Sequence, residues 1–378
     1  MLDIQRAPID HAWGTLGSGL SWSSGRRLAI CSLLWLCLLV PASASLAESS
    51  PFSGPGPHAV SSETVRKQGL IFAPATGAKV NRRWPAVIFA HGLCGPTKRY
   101  SDTLARIASW GFVVIANEKQ EDCGAIEIGH PLSALENFFL MPFKFGNAVN
   151  FSKMAKNVEK NIDYALTRKD VDSDRIALMG HSMGGGVVVD VAAHLSEKRP
   201  GLVKAVIGIA PWNGVQPRPS TVAHEVKAPM LIFCSMTDLL CPCSGEVKIT
   251  DTQGLITGRA ALGIPLLFGP DADSTWHGGS LAIFEDARNA TLIEVDAVSH
   301  FTIVGVDNGA QMQDLADWAS QTSGLNFSRP NRPYSDIPTI EYAVAFLNEA
   351  LKLNEGGGEE ALSEAASDSR IVKVRGSQ

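Results

Sequence analysis

Seven short apolar runs punctuate the chain, and none of them alternates with polar residues. They read GLIFAPA from Gly69, PAVIFAH from Pro85, GFVVIAN from Gly111, RIALMGH from Arg175, VKAVIGIAP from Val203, PMLIFCS from Pro229 and TLIEVDA from Thr291. A strand with one wet face alternates. Runs that are apolar throughout and rich in β-branched residues are buried on both faces, as in a mainly parallel sheet. Helical periods lie between them. In FSKMAKNVEKNIDYALTR, Met154, Val158, Ile162 and Leu166 recur every four residues, and RYSDTLARIASW from Arg99 and IPTIEYAVAFLNEALKL from Ile337 read likewise. Strand–helix alternation on this scale predicts one three-layer α/β domain over residues 63–353.

The flanks differ. Arg26 and Arg27 precede the apolar run Leu28–Val40 and the small-residue stretch PASASLA. That order reads as a secretory signal over residues 1–47, cleaved after Ala44 or Ala47. The run falls short of the ~20 residues a bilayer span needs, so no stable span is expected after cleavage. Export, or a plastid reached by the same route, is the expected destination. Residues 48–62, rich in Ser, Pro and Gly, read as a tether, and 354–378, polar and Gly/Glu/Ser-rich, as a disordered tail. A formal charge of −5 with no Lys/Arg stripe argues against nucleic-acid partners.

Seven cysteines are present, of which Cys31 and Cys37 fall in the signal. Of the other five, Cys234 reads as a buried free thiol within PMLIFCS. Cys94 and Cys123 follow consecutive strands and are expected to pair. The competing pairing joins either of them to Cys241 or Cys243. No histidine–cysteine spacing suits a metal, and no cofactor is expected. Sequons at Asn150, Asn289 and Asn326 are candidate glycan sites.

The chemistry centres on LMGHSMGGGV. Gly180-His181-Ser182-Met183-Gly184 fits G-x-S-x-G, and it stands between the strand RIALM and the helical VVVDVAAHL. That frame is the nucleophile elbow of the α/β-hydrolase fold, a turn too sharp for side chains at its outer positions. A serine hydroxyl needs a base, and the base an orienting carboxylate, in the chain order Ser, acid, His. Asp238 follows PMLIFC and His300 follows TLIEVDA, both at carboxyl ends of expected strands, where catalysis belongs in open α/β sheets. The rivals, His277 for the base and Asp251, Asp271 and Asp273 for the acid, follow no strand directly. The backbone N–H groups of Met183 and of Leu93, in HGLCG after PAVIFA, are the expected oxyanion donors. His91 is expected to hold that loop, and His181 to form a wall of the cleft and contact substrate.

The blocks DTLARIASWGFVVIANE, DSDRIALMGHSMGGG, KAVIGIAPWNG, TDLLCP and VSHF resemble, in the same order, those of bacterial cutinase-like polyester (PET) hydrolases within the dienelactone hydrolase-like superfamily. The opening SPFSGPGPHAV echoes that family too, so the resemblance covers Pro51 to Gly324. It implies a serine carboxylic-ester hydrolase that uses Ser182, Asp238 and His300, with donors from Leu93 and Met183. It also implies that Trp212 lines an acyl pocket and that a small or polymeric ester is the substrate. Leu93 replaces the family's aromatic residue. Two stretches are longer than in the polyester hydrolases, one before His300 and one holding FFLMPFKF, which reads as an apolar lid or a buried helix edge. Chlorophyllases and platelet-activating-factor acetylhydrolases share the elbow, which implies a bulky lipid ester as the alternative substrate. A non-catalytic binding module is the alternative of another class.

Overall fold

A computed structural model describes residues 50–75, 82–93, 97–117, 151–215, 217–238, 240–250, 256–260, 277–306, 326–327, 332, 336–351 and 357–377. All of these fall in one compact unit, Ser49–Gln378. The signal expected over 1–47, Cys94, Cys123, Asn150, the FFLMPFKF stretch, Asp251, Asp271 and Asp273 lie outside the described residues.

All seven apolar runs are strands. They form β2 (Gly69–Pro74), β3 (Trp84–Ala90), β4 (Val113–Ala116), β5 (Val171–His181), β6 (Val203–Ile209), β7 (Met230–Cys234) and β10 (Ala290–Val295). With β1 (Val60–Val65) and β12 (Ile371–Gly376) they make a sheet in the order β1-β2-β4-β3-β5-β6-β7-β10-β12. The six strands from β4 to β10 run parallel, while β1, β2 and β12 are antiparallel to their neighbours. A separate small antiparallel sheet joins β8 (Val247–Thr250), β9 (Ile256–Ala260) and β11 (Asn326–Phe327) in the order β11-β8-β9.

The helices are α1 (Ser101–Ser109), α2 (Phe151–Thr167), α3 (Met183–Lys198), α4 (Gly279–Asp286), α5 (Thr339–Leu351) and α6 (Gly358–Glu364). In α2 the four-residue spacing puts Met154, Val158 and Ile162 in the core. Central-strand side chains such as Ile88, Val114, Leu178, Ile207 and Phe233 are completely buried, which favours folding by about 2 kcal/mol each. The fold is therefore a mostly parallel mixed sheet flanked by helices, the α/β-hydrolase arrangement.

Both expected flank boundaries need correction. Within the expected tether, Phe52 is buried against Trp110, and Arg106 Nη2 donates to the carbonyls of Phe52 and Ser53 (both 2.8 Å). The end expected to be disordered holds α6 and β12. Composition misleads here because this segment is ordered by groups outside it. β12 completes the backbone ladder of β10, and α6 covers α5, which is buried nearly all round. Arg370 then bonds Glu341 (3.0 Å) and Asp368 (2.7 Å), and the Tyr342 hydroxyl donates to Asp368 (2.7 Å).

Candidate active site

Parallel strands deliver their carboxyl ends to one sheet edge, and four of them carry the site. β3 leads into His91-Gly92-Leu93, β5 into Ser182, β7 into Asp238 and β10 into His300. β5 is central, β7 lies two strands away, and β10 is next to β7.

The glycines flanking Ser182 answer to backbone proximity. A Cβ on Gly180 would collide with the carbonyl of Gly184, and one on Gly184 with the carbonyl of Ala90 on the neighbouring strand. Ser182 itself has φ 57° and ψ −126°, a strained conformation for a residue with a side chain. It is held there by its N–H to the Ile209 carbonyl (2.9 Å) and by its own carbonyl, which accepts from Trp212 N–H (2.9 Å) and Gly186 N–H (3.1 Å). Met183 opens α3, so its N–H belongs to the first turn, whose amides have no partner within the helix.

His300 Nδ1 donates to Asp238 Oδ2 at 2.7 Å. The other carboxylate oxygen, Oδ1, accepts the N–H groups of Leu240 (2.8 Å) and Cys241 (2.9 Å). Both side chains are buried, Asp238 completely. The two loops are also tied to each other, since Thr237 Oγ1 donates to the Val298 carbonyl (2.8 Å). The backbone carbonyl of His277 accepts from Asn213 Nδ2 (2.7 Å).

A disulfide links Cys234 and Cys243, with Cα atoms 5.1 Å apart. Cys234 is thus not the free thiol expected from its apolar surroundings. The hydropathy of a run is blind to a partner nine residues on, which the turn after β7 brings back beside it. Asp238 sits inside the closed loop.

His181 also departs from expectation, because it is completely buried and forms no cleft wall. Its Nε2 lies 2.6 Å from the His300 carbonyl and its Nδ1 lies 3.0 Å from the Tyr100 hydroxyl. Burial, with His300 and His91 nearby, holds its pKa well below the ordinary histidine value, so the ring is neutral. A carbonyl can only accept, which puts the proton on Nε2 and leaves Nδ1 to accept from Tyr100. Sequence reasoning missed Tyr100 altogether; it reads there as one more apolar-face residue of a helix. His91 Nδ1 donates to the Gly92 carbonyl (2.6 Å), holding the loop as expected. Trp212 is 4% exposed, with its ring centroid 5.4 Å from that of Phe151.

Residues 71–254 match the Dienelactone hydrolase family. This part of the chain is a dienelactone hydrolase family domain. The matched dienelactone hydrolase segment contains Leu93, Ser182, Met183 and Asp238, and His300 lies beyond it. Among curated proteins, the chain is similar to Cutinase 1 of Thermobifida cellulosilytica, 31% identical over 200 residues that cover 51% of this chain and 64% of the relative. A cutinase of Thermobifida fusca is also 31% identical over 200 residues, covering 51% and 56%. A platelet-activating factor acetylhydrolase of Cavia porcellus is 24% identical over 163 residues, covering 35% and 36%. The chain thus spans 56 to 64% of the length of these two cutinases.

Proposed function

We propose that the protein is a serine carboxylic-ester hydrolase acting through an acyl-enzyme. The observation that carries this reading is the buried 2.7 Å bond between His300 and Asp238, at the sheet edge where the elbow presents Ser182. Asp238 fixes the His300 tautomer with its proton on Nδ1, which leaves Nε2 to take the hydroxyl proton of Ser182. The serine oxygen attacks the ester carbonyl, and the N–H groups of Met183 and Leu93 meet the developing oxyanion. His300 returns the proton to the departing alcohol. Water then repeats the sequence on the acyl-enzyme and releases the acid. No metal or cofactor is invoked in this cycle.

The substrate we favour is an apolar ester of the cutinase or polyester kind, in keeping with the names of the Thermobifida relatives. In this reading the protein is exported, and Trp212 lines the acyl side of the cleft. The similarity to a platelet-activating factor acetylhydrolase supports a second reading, a bulky lipid ester.

Labelling the folded protein with a fluorophosphonate probe tests the class: Ser182 should be modified, and no modification would leave a binding module. A panel of p-nitrophenyl esters of rising chain length, a soluble polyester and an acetylated phospholipid then separates the two substrates. Hydrolysis of the phospholipid alone would decide for the lipid ester.

A further inference from the structure

One continuous chain of buried hydrogen bonds joins three segments of the site. Gly92 N–H donates to the Tyr100 hydroxyl (3.2 Å), that hydroxyl donates to His181 Nδ1 (3.0 Å), and His181 Nε2 donates to the His300 carbonyl (2.6 Å). Tyr100 is 1% exposed, and His181 is fully buried. Water has no access to stand in for a missing partner there, so each link depends on the next.

We propose that Tyr100 and His181 are positioning residues of the hydrolysis, locking the oxyanion loop and the base loop to the nucleophile elbow as one unit. This rests on the ester-hydrolase reading above. Gly92 is held on both sides: its N–H by Tyr100 and its carbonyl by His91. The next N–H along the chain is that of Leu93, so its direction follows from how Gly92 is clamped. The loop is pressed against the nucleophile, since a Cβ on Gly92 would stand 3.1 Å from Ser182 Cβ and 3.2 Å from His181 Nδ1. His300 is likewise held at two points, its ring by Asp238 and its carbonyl by His181. The rings reinforce the register, with His181 and His300 centroids 4.7 Å apart and Phe301 against both. Tyr100 thus reaches an oxyanion donor, and His181 the base, without either needing to touch substrate.

The test uses the full chain, with active sites counted by complete fluorophosphonate labelling of Ser182. Tyr100→Phe removes one oxygen and keeps the packed ring. Per labelled site it should lower kcat on p-nitrophenyl butyrate about 10- to 100-fold with KM changed by less than about twofold, the scale expected for slight misplacement of catalytic groups. A structural role alone would reduce the number of labelled sites and leave kcat per site unchanged, and that result overturns the proposal. His181→Gln keeps a donor near the Nε2 position, so it should be about tenfold more active per site than His181→Leu; equal activity of the two overturns the role of His181. Failure of wild-type Ser182 to label would overturn the hydrolase reading itself, and is distinguished by needing no variant.

Discussion

His300 and Asp238, separated by 62 residues of chain, meet through a single 2.7 Å bond that leaves the second carboxylate oxygen to two backbone amides. This division of labour determines what an amide would do in place of the acid. In Asp238→Asn the oxygen stays with the amides of Leu240 and Cys241, and the NH2 group faces His300 Nδ1. Nδ1 must then accept, so the ring proton moves to Nε2 and, in the proposed mechanism, His300 can no longer take a proton from Ser182. We expect kcat to fall about 10³- to 10⁴-fold with little change in KM, as measured by steady-state kinetics on p-nitrophenyl butyrate. His277→Ala should retain full activity, and an inactive His277→Ala beside an active His300→Ala would reverse the assignment of the base.

The Cys234–Cys243 bridge closes the loop that bears Asp238. For a loop of about ten residues, removing the cross-link gives the unfolded chain back entropy worth about 2–3 kcal/mol. The Cys234→Ala/Cys243→Ala double variant should therefore show that loss in guanidinium unfolding. Peptide mapping of non-reduced protein should recover the two cysteines in one linked fragment, and recovery of Cys234 as a free thiol would contradict the bridge.

Arg370 carries the carboxyl-terminal segment. It pairs with Glu341, whose side chain is only 3% exposed, and its own side chain is 24% exposed. Arg370→Ala leaves that carboxylate buried without its partner. A fully buried orphan costs 3–5 kcal/mol, and the partial exposure of Arg370 brings the expected loss to about 2–3 kcal/mol. Chemical denaturation at neutral pH measures it, and a change below about 0.5 kcal/mol would mean that β12 pairing, α6 packing and the Tyr342–Asp368 bond hold the segment without Arg370.

Asp190, on α3, contributes a pH dependence. Burial, opposed by His194 and reinforced by Glu159 and Glu225, raises its pKa from 3.8 to about 6. A carboxyl whose folded pKa is raised binds its proton more tightly in the folded state. Its contribution is therefore favourable at low pH and is lost as pH rises from 3.8 through about 6. Asp190→Asn should then stabilise the protein above pH 6 by about 1 kcal/mol, a value reduced for solvent screening of a half-buried group, or about 2 °C in Tm. Near pH 3.5 the variant and wild type should melt together. Thermal melts at the two pH values check the sign.

Much of this architecture is legible in the sequence because it rests on local or short-period signals. A strand buried on both faces must be apolar throughout, and all seven such runs are strands of the main sheet. The elbow is equally local: Gly180 and Gly184 are dictated by backbone contacts within a few residues of Ser182 and by the strand beside it. Asp238 and His300 could be nominated from chain order and strand ends, since parallel strands send their following loops to one edge.

What only the tertiary structure decided are the relationships between groups that the fold brings together from different elements and loops. The Asp238–His300 bond, the Cys234–Cys243 bridge and the ordering of residues 357–377 each depend on a partner supplied by another segment. So does His181. In the sequence it is a polar residue beside the proposed nucleophile, which reads as a cleft wall, yet the fold brings Tyr100 from one side and the His300 carbonyl from the other and buries all three. Hydropathy and spacing record a residue's own preference for water. They carry no record of a hydrogen-bond partner 81 or 119 positions away, and such partners decide whether a polar side chain faces the cleft or the core.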